Sequence, residues 1–167
     1  MAPELYWVRD IAPLRLAVMP RPRGDDWLRE EVSGWVQCRI DTVVSLLQSG
    51  ESRELGLRDE AALCLEHAIQ FVSFPIPDRG TPSSIPATAE LVHDLVTQLR
   101  SGRGVAVHCR AGIGRTGILG ACILLRLGVP LPEVFPMLSR SRTLPMPDTQ
   151  AQLDWVARFK QEARIAL

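Results

Sequence analysis

The ten residues HCRAGIGRTG, His108 to Gly117, carry the densest chemistry in the chain and admit two readings. The last six, Gly112 to Gly117, match G-x-G-x-x-G, whose glycines let a backbone wrap the pyrophosphate of a dinucleotide. The span Cys109 to Thr116 reads instead as C-x5-R-T, a thiol and a guanidinium bracketing a five-residue loop.

A dinucleotide fingerprint should follow a strand, open a helix, and be answered about 20 residues later by an acidic side chain at the end of a second strand. The first two conditions are met and the third fails. The residues beyond the helix are GVPLPEVFPMLSRSR, prolines and a short helical pattern with no strand ending in Asp or Glu. Only 50 residues follow Gly117, too few for the remaining mononucleotide halves.

A phosphate cradle around a nucleophile accounts for every residue type in the loop. The apolar strand Val105 to Val107 delivers Cys109 to its C-terminal end, and Gly112, Gly114 and Gly117 let successive N–H groups turn inward as an anion nest. A helix opening near Arg115 adds its positive end, and the Arg115 fork matches two phosphate oxygens in a way lysine does not. The expected cradle is Arg110, Ala111, Gly112, Ile113, Gly114 and Arg115. The same donors stabilise a thiolate: a free thiol titrates near ~8.5, and thiols at helix N-termini beside cations fall to roughly 3.5–7.5, so Cys109 is expected to be an anion at neutral pH. Thr116 is placed to donate its hydroxyl to that sulfur. A buried core cysteine, the commoner fate of cysteine, would leave Arg115 and the glycines unexplained.

Such a site needs a sheet that presents its C-terminal edge and helices that cover both faces. The apolar pattern alternates between short strand-like runs and helical periodicity, the mark of an α/β domain. Strands are predicted at Leu5–Val8, Leu14–Met19, Thr42–Leu47, Gln70–Phe74 and Val105–His108. Leu28, Val32, Trp35 and Val36 recur at helical spacing, with Asp25 or Asp26 placed to cap that helix. Further helices are predicted at Asp59–His67, Pro86–Arg100, Leu131–Ser139 and Asp148–Arg164. Pro75 to Pro86, with Gly80 inside it, makes a stiff loop between a strand and a helix, a position that often carries function. The four tryptophans, Trp7, Trp27, Trp35 and Trp155, are expected in the core. The resulting fold class is a three-layer αβα domain with a mostly parallel central sheet, one domain spanning residues 1–167.

Composition narrows the partners. Lys plus Arg and Asp plus Glu both number 19, so no global charge argues for a nucleic-acid or membrane partner. Cys38, Cys64, Cys109 and Cys122 contain no C-x-x-C pair and read as reduced thiols. Three scattered histidines suggest no metal cluster, and His67 and His93 fall on helical patterns at surface or boundary positions. The start, MAPELYWVRD, lacks a basic segment followed by an apolar one, and the longest apolar run, Ile118 to Leu125, is too short to span a bilayer. A cytoplasmic monomer is the expectation.

With C-x5-R-T placed between a strand and a helix, HCRAGIGRTG resembles the H-C-x5-R-[ST] signature of the cysteine-dependent protein-tyrosine and dual-specificity phosphatases. The resemblance extends through FPIPDRGTPS upstream and PDTQAQLDWV downstream. Its flavour is that of the small kinase-associated (cyclin-dependent kinase inhibitor) phosphatases and their bacterial relatives. It implies the phosphotyrosine phosphatase-like fold and hydrolysis of phosphotyrosine, with phosphoserine and phosphothreonine as further substrates, through a cysteinyl-phosphate and without cofactor or metal. The partner implied is a phosphorylated protein or peptide.

The resemblance also assigns roles. The general acid is taken from an Asp on a mobile loop about thirty residues before the cysteine, which points to Asp78 in PIPDRG, hinged by Gly80. Low-molecular-weight phosphatases resemble the reverse order, with the cysteine loop first. A water-positioning glutamine falls on Gln152, with Gln150 as the neighbour in a shifted register, and His108 orders the loop through hydrogen bonds. Arg79, Arg110, Arg140 and Arg142 are candidates for a cationic rim, each more ordinary as a solvated arginine. Ile113 argues against a phosphoinositide specialist, since lipid phosphatases of the superfamily typically place lysine there and at the Arg110 position. The competing class is a silent phosphate-binding module, which would need neither Cys109 nor Asp78.

Overall fold

A computed structural model describes residues 2–163, so the far end of the helix expected to reach Arg164 lies outside the described residues. Five strands form one sheet: β1 (Tyr6–Trp7), β2 (Arg15–Met19), β3 (Thr42–Ser45), β4 (Gln70–Ser73) and β5 (Gly104–His108), in the order β1-β2-β5-β3-β4. Strands β2, β5, β3 and β4 run parallel and β1 is an antiparallel edge. Each expected strand is present; the first four are trimmed by up to two residues at an end, and β5 starts one residue earlier, at Gly104.

Period-two alternation assigns the faces. Leu16, Val18, Val44, Val105 and Val107 pack into one core, with helices α4 (Ile85–Arg100), α5 (Gly114–Arg126), α6 (Leu131–Arg142) and α7 (Gln150–Glu162). Ala17, Met19, Val43 and Ala106 face a second core with α1 (Leu28–Gln37) and α3 (Glu60–Glu66). Both faces of β5 are therefore covered, which is why it reads as a continuous apolar run. Helix α5 is buried from Gly114 to Leu125, the condition that demands apolar residues all round. Among the described residues no helix is long and apolar enough to cross a membrane.

Three expectations need correction. Neither Asp25 nor Asp26 caps α1: both lie in a 3-10 turn, Asp25–Trp27, and α1 starts without a side-chain cap. Asp25 takes φ 52° there, and its N–H is bonded to the Gly56 carbonyl at 2.9 Å. Trp27 is not core but 56% exposed, its ring stacked under Arg23 with the guanidinium carbon 4.9 Å from the ring centroid. A short helix, α2 (Ser49–Glu54), was not expected, being too short to show periodicity.

Candidate active site

Cys109 follows β5 directly, at the C-terminal edge of the parallel strands, and is 3% exposed. The chain then turns tightly back to open α5 at Gly114. Gly112 makes the turn possible, at φ 72°, with the Met19 backbone so close that a Cβ there would stand 2.5 Å from its carbonyl. The Gly112 N–H points to the Cys109 sulfur at 3.3 Å. Two outside contacts clamp the turn: the Arg21 N–H donates to the Arg110 carbonyl at 3.0 Å, and the Arg142 Nη2 to the Ala111 carbonyl at 3.0 Å.

Arg115, in the first turn of α5 after the cradle, is 2% exposed. Nη1 reaches Glu51 Oε2 at 2.7 Å and the Ile76 carbonyl at 3.0 Å; Nη2 reaches Glu51 Oε1 at 2.9 Å and Asp78 Oδ1 at 3.2 Å. Burial would lower its pKa, but the Glu51 hydrogen bond and the charges of Cys109, Glu51 and Asp78 raise it, so the cation persists. Glu51 is α2's third residue, and its other role is to accept the Gln48 N–H at 3.0 Å, fastening the helix start.

Asp78 sits on the irregular loop between β4 and α4, its side chain 59% exposed, with Arg79 beside it at φ 57°. Gln152 closes the site from the other side. It is fully buried at the start of α7; its Oε1 accepts the N–H groups of Asp148 and Thr149 at 3.0 and 3.2 Å. Its Nε2 donates to the Gly80 carbonyl at 3.1 Å, tying the Asp78 loop to α7. A Cβ on Gly114 would come within 2.9 Å of that amide, so Gln152 touches the cradle itself. Gln150 does not: it is exposed and bonds Asp154.

Behind Cys109, His108 is wholly buried, with Nδ1 3.1 Å from the Cys109 carbonyl and Nε2 2.7 Å from Glu60 Oε1.

Two site expectations change. Thr116 is fully buried, but its Oγ1 has no hydrogen-bond partner, so the expected bond to the Cys109 sulfur is not made. The expected cationic rim does not form as a unit. Arg142 is buried under the cradle, its guanidinium carbon 4.3 Å from the Tyr6 ring centroid, and Arg140 pairs with Asp10 at 2.7 Å. Arg110 stays exposed, 3.8 Å from Glu51 and 3.9 Å from Glu54. Glu51 and Glu60 were missed. Glu51 lies just past β3, at the strand edge where open α/β sheets bind ligands. Glu60 shares a helical face with Leu63 and Cys64, so it is a carboxylate on an apolar stripe.

A family model described as "Polymorphic toxin system, DSP-PTPase phosphatase" matches residues 17–129. The chain is 32% identical over 169 aligned residues to protein tyrosine phosphatase domain-containing protein 1 of Mus musculus, covering 93% of this chain and 21% of that one. It is 43% identical over 88 residues to cyclin-dependent kinase inhibitor 3 of Rattus norvegicus, covering 53% of this chain and 41% of that one. The chain thus spans between a fifth and two fifths of the length of these relatives. A solved structure of kinase associated phosphatase, with its catalytic cysteine replaced by serine, superposes with TM-score 0.88 at 20% identity, over 100% of this chain and 99% of that one.

Proposed function

Because the chain belongs to the DSP-PTPase phosphatase family, we propose that it hydrolyses phosphate monoesters on proteins, phosphotyrosine first and phosphoserine or phosphothreonine second, through a cysteinyl-phosphate. The observation that carries this reading is Arg115 and Asp78 meeting at 3.2 Å beside the Cys109 cradle. A thiol, an anion clamp and an exposed loop carboxyl converge there, and a docking module would need only the clamp.

In the first step the Cys109 thiolate attacks phosphorus as the bond to the leaving oxygen breaks. The cradle N–H groups and the Arg115 side facing away from Glu51 hold the equatorial oxygens, where charge spreads in the transition state. Asp78 gives its proton to the departing phenoxide or alkoxide. In the second step Asp78, now a carboxylate, takes a proton from water placed by Gln152. The resulting oxygen–phosphorus bond expels Cys109 as thiolate and frees inorganic phosphate. No redox change occurs.

The test is hydrolysis of an aryl phosphate between about pH 5 and 7. Turnover that vanishes in Cys109→Ser supports the enzyme; an inert wild type, or an unchanged rate in the variant, returns the protein to a phosphate-binding module. A panel of phosphotyrosine, phosphoserine and phosphothreonine peptides with a phosphoinositide then ranks the substrate classes.

A further inference from the structure

On the face of the sheet opposite Arg115, one pair of charged groups is left over from the mechanism. Glu60 opens α3 at 2% exposure, and His108 ends β5 at 0%. Residues 106 and 108 share a face by strand alternation, and Ala106 belongs to the α1/α3 core, so the imidazole leaves the sheet toward α3. Cys109, one residue on, packs in the opposite core with α5. The nucleophile is thus flanked by two layers, and each supplies a charge.

The proton positions follow from the acceptors. His108 Nδ1 faces the Cys109 carbonyl at 3.1 Å, and a carbonyl can only accept, so Nδ1 carries a hydrogen. Nε2 faces the Glu60 carboxyl at 2.7 Å, the length of a charge-assisted bond. One proton lies between those two atoms, on the ring or on the carboxyl. Burial alone would drive the ring toward neutrality, and the Arg115 cation acts in the same direction. The charge and hydrogen bond of Glu60, joined by the Cys109 carbonyl, outweigh both and lift the imidazole above its ordinary value. The other titratable neighbour of Glu60, Cys64 on the next turn of α3, is pushed up to about 12, by burial first and by the Glu60 charge second, so it stays a neutral thiol.

We infer that Glu60 is a positioning residue for the nucleophile: it holds His108 as an imidazolium, whose Nδ1–H grips the Cys109 carbonyl and whose charge favours the Cys109 thiolate. The inference rests on the reading of Cys109 as nucleophile and adds a second cation, on the sheet face opposite Arg115. A neutral imidazole could make the same Nδ1–H bond but would contribute no charge, so the two states differ in sulfur reactivity rather than in shape.

Two measurements on the whole chain test this, and neither needs turnover. In the wild type, nitrogen-15 spectra of the His108 ring should show both nitrogens protonated at about pH 7.5, a full unit above the ordinary histidine midpoint. A neutral ring there overturns the proposal. In Glu60→Gln, which keeps the side-chain shape, carboxamidomethylation of Cys109 by iodoacetamide at about pH 6 should slow roughly tenfold, because the thiolate is the reacting form. Glu66→Gln, at an exposed site on the same helix, should react at the wild-type rate. An unslowed, folded Glu60→Gln overturns the proposal, and if that variant does not fold the wild-type spectrum still decides. A protein that never hydrolyses phosphate while showing the charged ring and slowed alkylation would remove the phosphatase reading and keep the pair.

Discussion

Arg115 meets Glu51 end-on as a two-pronged pair, Nη1 to Oε2 at 2.7 Å and Nη2 to Oε1 at 2.9 Å. A guanidinium has two such edges, and using the end-on one for Glu51 leaves the other, Nε with the Nη2 flank that Asp78 holds at 3.2 Å, as the edge proposed to take phosphate once Asp78 lets go. Glu51 therefore aims the clamp. Replacing it by Gln should lower kcat/KM about 100-fold and weaken inhibition by orthovanadate, because a misdirected cation costs orientation as well as charge. Stripping a partner from a buried cation also destabilises by about 3–5 kcal/mol, and here the low end is expected since the Ile76 carbonyl and Asp78 remain. Vanadate affinity unchanged in Glu51→Gln would remove the aiming role.

The pH sign of this pair is fixed by Glu51. Burial would raise its pKa, but the Arg115 hydrogen bond, the Gln48 N–H and the charges of Arg115 and Arg110 hold it below the usual 4.5. A carboxyl depressed in the folded state contributes stability that is full above its unfolded value and lost as pH falls through the folded one. Thermal melts should thus drop below about pH 4.5, and the drop should be shallower in Glu51→Gln. Parallel melting curves for the two proteins from pH 3 to 5 would show that the pair stores no such stability.

Asp78 holds Arg115 by one bond at 3.2 Å from an exposed loop, a contact loose enough to exchange for substrate. Asp78→Ala should keep vanadate affinity within a few fold and lose about 100-fold or more in kcat. The loss should be largest for alkyl phosphates, whose leaving oxygen most needs a proton, and smallest for activated aryl phosphates. Equal losses across leaving groups would place Asp78 in binding rather than in proton transfer.

Gln152 and Gln150 separate cleanly in the structure. Gln152→Ala removes the side-chain half of the α7 cap and the tie to Gly80, so it should destabilise by about 1 kcal/mol. If Gln152 also places the water, the cysteinyl-phosphate should accumulate, visible as a burst of aryl product followed by a slowed steady state. Gln150→Ala, which loses only an exposed bond to Asp154, should do neither. A burst in Gln150→Ala and not in Gln152→Ala would reverse the assignment.

Periodic residues made the layers legible, and one local motif made the cradle legible. The valines of β5, the glycine turn and the buried α5 follow each other within twenty-odd residues, so their geometry is local and their signal undiluted. Glu51 and Glu60 were invisible, and Arg142 was legible only as a rim arginine, for the opposite reason. They reach the cradle from 64, 48 and 31 residues away, and a charged side chain looks alike in sequence whether it faces water or a buried partner. The Thr116 expectation failed on a narrower point: being next to Arg115 does not turn a hydroxyl toward the sulfur, and on a helix buried on all sides it faces the interior. Gln152 became distinguishable from Gln150 only through the capping turn, which buries one and exposes the other.

Arg142 tests whether the cradle must be braced from below. Its Nη2 bonds the Ala111 carbonyl at 3.0 Å, its plane lies on Tyr6, and its Nε is buried without a partner, so the residue retains an unsatisfied donor in order to keep that contact. Turning the Ala111 carbonyl outward frees the neighbouring N–H groups for the inside of the turn, where that of Gly112 meets the Cys109 sulfur, as a nest for an anion requires. Arg142→Met should restore apolar packing against Tyr6 and relieve the orphaned Nε, so its fold stability should fall by no more than about 1 kcal/mol. Phosphate and vanadate should nevertheless bind about tenfold more weakly, since the loop loses one of its two outside clamps. Arg142→Lys should not rescue binding, because an ammonium offers neither the planar stack nor the fixed reach to the carbonyl. Full anion affinity in Arg142→Met would mean that the glycine turn and the Arg21 bond hold the cradle by themselves.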